Sequence, residues 1–182
     1  LAEYGHHAAW PPLFASLLAG EIMVAGLNWM VLKLVMVLIG LGALALLRRL
    51  WRDEPIGDWA VLLTALSPAI FLFSHHTMSE MPYIAAVAAA LLALSRAVDG
   101  RTALLAGLFA VLAFFVRGYA AIFLFAGPLY FLLRPWPLRQ RLIACLAYAT
   151  PLLVAILAWK GYTGHLIASQ PLDWISTRFG NG

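Results

Sequence analysis

Glu80 stands at the junction of two apolar runs, after Ser74-His75-His76-Thr77-Met78-Ser79 and immediately before Met81-Pro82. A carboxylate so placed has two compatible uses. At the start of a helix it is held by the helix dipole, and Pro82 marks a first turn. Facing a cavity in apolar surroundings, it can orient a hydroxyl or take its proton. Arg117 lies between two more apolar runs with no acidic neighbour in sequence. At a helix centre in lipid it would cost about 2.5–3.5 kcal/mol, so it demands a partner. That partner is either Glu80, in an ion pair, or an anion such as a lipid phosphate, which a guanidinium grips through two parallel hydrogen bonds; we favour the phosphate. His75, His76, Ser79 and Tyr83, with His7 from the amino-terminal segment, supply hydrogen-bonding groups for a sugar or phosphate. Imidazole and carboxylate are also metal ligands, so a divalent metal stays open. The pattern gives it little support: His76 and Glu80 share a face only within one helix, Pro82 starts the helix near Glu80, and no H-E-x-x-H occurs. No glycine-rich phosphate loop or G-x-S-x-G elbow is present, and the one cysteine, Cys145, has no catalytic setting.

The elements that must position these groups follow from composition. Of 182 residues, 64% are hydrophobic and 11% charged, against about a quarter charged in soluble domains. Mean hydropathy is +0.90. These values describe a membrane protein, and its long continuous apolar runs exclude the alternating pattern of an outer-membrane barrel. Backbone satisfaction in lipid then requires helices. We expect an all-α polytopic transmembrane bundle of about five spans with a short interfacial helix, in a single transmembrane domain. Residues 1–28 form an outer loop and the interfacial helix, 29–159 the spans, and 160–182 an outer loop. Within the second of these, the runs are 29–47, 59–73, 81–94, 104–116, 119–133 and 142–159.

The formal charge of +4 resides in loop arginines: Arg48, Arg49, Arg52, Arg96, Arg101, Arg134, Arg139 and Arg141. This bias places three loops on the cytoplasmic side of a bacterial inner membrane and provides no patch for nucleic acid. The amino-terminal segment, the His-His…Glu stretch, Arg117 and the tail then converge on the opposite, periplasmic or exterior face. The runs 59–73 and 104–116 are short for a bilayer, so their polar ends stop below the surface, in a cavity.

Three local patterns, in this order, resemble the GT-C superfamily of polytopic glycosyltransferases, in particular the protein O-mannosyltransferases and the aminoarabinose transferases. The first is His7-Ala8-Ala9-Trp10-Pro11-Pro12-Leu13-Phe14; the second runs from Leu66-Ser67-Pro68 through Ser79-Glu80-Met81-Pro82-Tyr83; the third is Phe115-Val116-Arg117-Gly118-Tyr119. The resemblance implies transfer of a sugar from a polyprenyl-phosphate donor to a glycan, lipid or protein acceptor at the outer face of the membrane. It implies that Arg117 binds the carrier phosphate and that Glu80 is the acidic residue of the second outer loop. The family's catalytic aspartate has no match here, since Glu3 lies too close to Pro11; we expect the principal base upstream of Leu1 and the 182 residues to be an inactive fragment. The competing readings are a transporter or flippase for a lipid-linked anion, with Arg117 and Glu80 as a gate, and a structural subunit in which the two simply pair.

Overall fold

A computed structural model gives the fold and describes residues 11–68, 70 and 79–168, with side chains as far as residue 165. Among these residues all regular structure is helical: α1 (Leu13–Ala25), α2 (Trp29–Leu50), α3 (Gly57–Ala65), α4 (Glu80–Ser95), α5 (Gly100–Val116), a 3-10 helix (Gly118–Ile122), α6 (Phe123–Leu133) and α7 (Leu138–Ala168).

Local chemistry sets the boundaries. Gly26, at φ 68°, ends α1 in a conformation that favours glycine. The Asn28 side chain then accepts hydrogen bonds from the Met30 and Val31 amides to open α2, which closes with Arg48 and Arg49 in its last turn, where the helix dipole favours cations. In α4, Pro82 occupies the first turn, where an amide proton is not needed. Asp99 and Thr102 form a reciprocal capping box at the start of α5. At the other end of that helix Arg117 turns extended, at φ −147° and ψ 126°, and the chain re-enters helix through the 3-10 segment.

Two helices are long and apolar enough to cross a membrane: α2, with a mean hydropathy of 2.6, and α7 over Leu138–His165, with 2.2. The capping box and the break at Arg117 hold α5 to 17 residues, and α4 has 16. Of the run 59–73, the first part lies in α3 and residues 71–78 fall outside the described residues. The sequence also suggests that helix ends near Trp159, yet α7 continues through Lys160, Gly161 and Gly164 to Ala168. An internal glycine costs only about 1 kcal/mol, and extending an existing helix avoids the cost of nucleation. Thr163 donates back to the Trp159 carbonyl at 3.0 Å, and the Trp159 and Tyr162 rings lie 5.6 Å apart.

Across the bundle the helices are ordered α2, α4, α5, α7, α6, with α1 against α5 and α2. Close approach is achieved with small residues. Ala103, Ala106, Ala110 and Ala113 of α5 are fully buried and recur at helical spacing, which gives neighbouring backbones van der Waals contact without large side chains between them. Gly107 and Gly127 show how tight the fit is. A Cβ on Gly107 would lie 2.4 Å from the Tyr148 carbonyl oxygen, and one on Gly127 would lie 2.0 Å from the Tyr148 ring. Tyr148 is thus clasped between α5 and α6, and its ring meets Phe131 edge-on at 5.9 Å.

The chain directions sort the bundle into two ends. Ile39 of α2 lies level with Pro82 and Ala86, and Leu46 with Leu92 and Arg96, so α2 and α4 run parallel. Phe115 and Trp159 touch edge-on, which brings the carboxyl-terminal part of α5 beside that of α7. One end collects the loop arginines. The far end collects the start of α4 and the end of α5.

Candidate functional site

Glu80, the first residue of α4, and Arg117, the first residue after α5, meet at the far end. Arg117 Nη2 donates to Glu80 Oε1 at 2.5 Å, and its Nε donates to Ser79 Oγ at 2.9 Å. The side chains are 28% and 17% exposed, respectively. Each group has a local reason for its position. Glu80 sits in the positive field of the α4 amino terminus, so its helix-start role and its ionic role coincide. Arg117 is carried out of line by its extended backbone, which aims it across the gap rather than along α5.

Of the two partners that the sequence leaves open for Arg117, the structure has Glu80 in place. The pairing does not exhaust either group. Glu80 Oε2 is buried and has no hydrogen-bond partner among the described residues. An unpaired buried acceptor of this kind costs about 1–3 kcal/mol. Arg117 uses Nε and Nη2 for its two bonds, and the remaining Nη1 edge is the one from which a further anion can be approached.

Beside the pair lies a cavity of about 250 Å³ bounded by four helices, with walls of Leu13, Leu17, Ile39, Pro82, Leu112 and Val116 among others. Its lining is wholly apolar. Val116 immediately precedes Arg117 and Pro82 lies two residues after Glu80, so the charged pair stands at one limit of an apolar space. Pro11 packs beside the residue after Arg117: its Cγ would lie 3.9 Å from a Cβ on Gly118.

The pair is also set back along the bundle. A Cβ on Gly40 would lie 3.1 Å from Met81 Sδ, which fixes Gly40 as the α2 residue level with the start of α4. From Trp29 to Gly40, α2 rises about 16 Å, so it overtops the Glu80–Arg117 pair by roughly half its own length.

Ser79, Glu80 and Arg117 are therefore brought together. Tyr83 is one turn along α4 from Ser79, whose carbonyl accepts its amide at 3.0 Å, and it packs part-buried against the core. His7, His75, His76 and the tail beyond Ala168 lie outside the described residues. Among the described residues no three His, Cys, Asp or Glu side chains gather as metal ligands would. Sequence reasoning missed the cavity walls contributed by α1 and α2, because which side chains face a gap depends on helix order. It also passed over Glu21 of α1, whose carboxylate oxygens are both buried with no partner among the described residues; the signal was an acid within a 13-residue apolar helix.

Compared with protein-family profiles, curated proteins and solved structures, the chain finds no match in any of the three.

Proposed function

We propose that this chain is a polytopic membrane glycosyltransferase of GT-C type, moving a sugar from a polyprenyl-phosphate donor to an acceptor at the outer face of a bacterial inner membrane. The observation that carries this reading is a part-buried guanidinium–carboxylate pair with unused capacity on both partners, bordering an apolar cavity. A lipid phosphate has the matching two-part chemistry. Its phosphate engages the open edge of Arg117 while the first part of the prenyl chain lies against Leu13, Leu17 and Ile39. As the glycosidic bond breaks, the leaving phosphate gains negative charge. A cation already fixed in place by Ser79 and Glu80 stabilises that charge without reorganising. Glu80 Oε2 accepts a hydrogen bond from the acceptor hydroxyl and orients it, and the principal base comes from residues other than those described.

The arginine-rich loops support an orientation with that end in the cytoplasm, and the 16 Å set-back of the pair supports a site below the outer surface. The closed ion pair also favours a second reading, a transporter or flippase in which it acts as a gate. The experiment measures both activities in proteoliposomes: transfer of a labelled sugar from a polyprenyl-phosphate donor, and movement of a fluorescent lipid-phosphate analogue between leaflets. Sugar transfer by the parent protein that is lost in Arg117→Ala and reduced in Glu80→Ala supports the transferase. Lipid movement without transfer supports the gate. Full transfer in both variants overturns the site.

A further inference from the structure

At the arginine-rich end, away from the pair, an open groove of about 400 Å³ runs between α2, α4 and α5, lined by Leu46, Ala89, Leu92, Ala93, Phe109 and Arg96. Five of these six residues are apolar, and the sixth is a cation at the end of α4. Arg96 differs from three of its neighbours in one respect. Arg134 is occupied by the Ser95 carbonyl at 3.0 Å, Arg141 by the Trp136 and Leu132 carbonyls at 2.7 and 3.0 Å, and Arg48 by Asp58. Among the described residues Arg96 makes no such bond and lies exposed at the groove.

Helical spacing adds two more cations at the same limit. Arg49 is three residues beyond Leu46 on α2, and Arg101 lies two turns before Phe109 on α5, past the exposed Leu105. Three helices therefore each bring an arginine to one end of an apolar channel, with no acidic residue in its lining. The volume lies within the roughly 300–1,000 Å³ typical of ligand sites.

We infer that this groove is a binding site for an anionic diacyl phospholipid, with an acyl chain along Ala89, Ala93 and Phe109 and the phosphate on Arg96. A zwitterionic lipid would fill the apolar part but bring its own cation to the arginines, and Asp99 beside Arg101 offsets a single charge; an anionic headgroup satisfies both halves, as basic pockets between membrane helices do. The inference is separate from the site at the far end and stands whether or not that site transfers sugar.

The test uses the whole chain in phosphatidylcholine nanodiscs with a minor fraction of phosphatidylglycerol, and reads the lipid retained on extraction by native mass spectrometry. The parent protein retains phosphatidylglycerol in preference to phosphatidylcholine. Arg96→Gln, an exposed change, lowers that preference about fivefold. Ala93→Leu, which fills the groove, lowers retention of both lipids. Arg139→Gln, which removes a cation of the same end that does not line the groove, leaves the preference unchanged. Should Ala93→Leu fail to fold, Ala89→Val replaces it. Equal retention of the two lipids by the parent protein overturns the inference. So does an Arg139→Gln loss equal to that of Arg96→Gln, which would mean general surface attraction, or undiminished retention in the groove-filled variant.

Discussion

The two ends of the bundle use the same side chain in opposite ways. At one end Arg134 and Arg141 reach backbone carbonyls at helix ends and in the α6–α7 loop, and Arg134 stacks over Tyr130 and Trp136, 4.7 and 5.6 Å from their ring centroids. Arg48 pairs with Asp58, but the two side chains are 45% and 71% exposed. At the far end Arg117 faces another charge instead. Arg117, Arg134 and Arg141 are all part-buried, so depth does not separate them; the partner does, neutral carbonyls and rings at one end and a carboxylate at the other. The value of an arginine in this chain is therefore set by what it is paired with, more than by its number of contacts.

That contrast is broken most readily at its costly end. Arg117→Ala leaves Glu80 as an uncompensated part-buried charge; losing one member of a fully buried pair costs about 3–5 kcal/mol, and the residual exposure of this one brings the cost to about 2–3 kcal/mol. We expect the largest fall in unfolding free energy of any single arginine change, read by denaturant titration in detergent micelles. Arg134→Ala performing equally badly would abolish the distinction between the ends. The next effect lies between them. Gly127→Ala drives a methyl group into the Tyr148 ring and should destabilise by about 1–3 kcal/mol through overpacking; Tyr148→Leu in the same chain should recover part of that loss. Arg134→Ala follows, at about 1 kcal/mol for its carbonyl bond and ring contacts.

Smaller effects sharpen the comparison. Asp58→Asn, which neutralises the exposed partner of Arg48, should change stability by less than about 1 kcal/mol, and the change should vanish in high salt. Asp99 provides a pH signature confined to the arginine-rich end. Hydrogen bonds from the Thr102 amide and hydroxyl hold its carboxyl below the usual carboxylate range. A depressed value means that the folded state binds the proton less readily than the unfolded one. The cap's contribution is therefore complete above about pH 4 and is lost as pH falls through the lowered folded value. Asp99→Ala should flatten the acid limb of a melting-temperature profile in that window and lower the plateau by about 2–4 °C.

Local signals in the sequence were sufficient for much of this. Pro82 and the Arg117-Gly118 break each act within a few residues, and each marks a helix boundary observed in the structure; the Asp99 cap, which opens α5 ahead of the run 104–116, was passed over. The convergence of Glu80 with Arg117 was also legible, because alternating chain direction brings the start of α4 and the end of α5 to one end. The helix order was not legible: the apolar runs are nearly uniform around their circumference, so their patterning does not state which face meets which neighbour. The same uniformity concealed the clasp of Gly107 and Gly127 around Tyr148. At α7, glycines and a lysine read as an ending because their individual preferences are weak, and the helix already formed up to Trp159 outweighed them.

The overhang of α2 has a consequence for traffic. Because that helix stands about 16 Å above the start of α4, the apolar recess beneath it, shared with α1 and with half-exposed Leu112 of α5, is bounded on its flank by hydrocarbon-like side chains. On the proposed reading, a greasy molecule enters sideways from the surrounding leaflet and meets Arg117 headgroup-first, without its tail ever entering water.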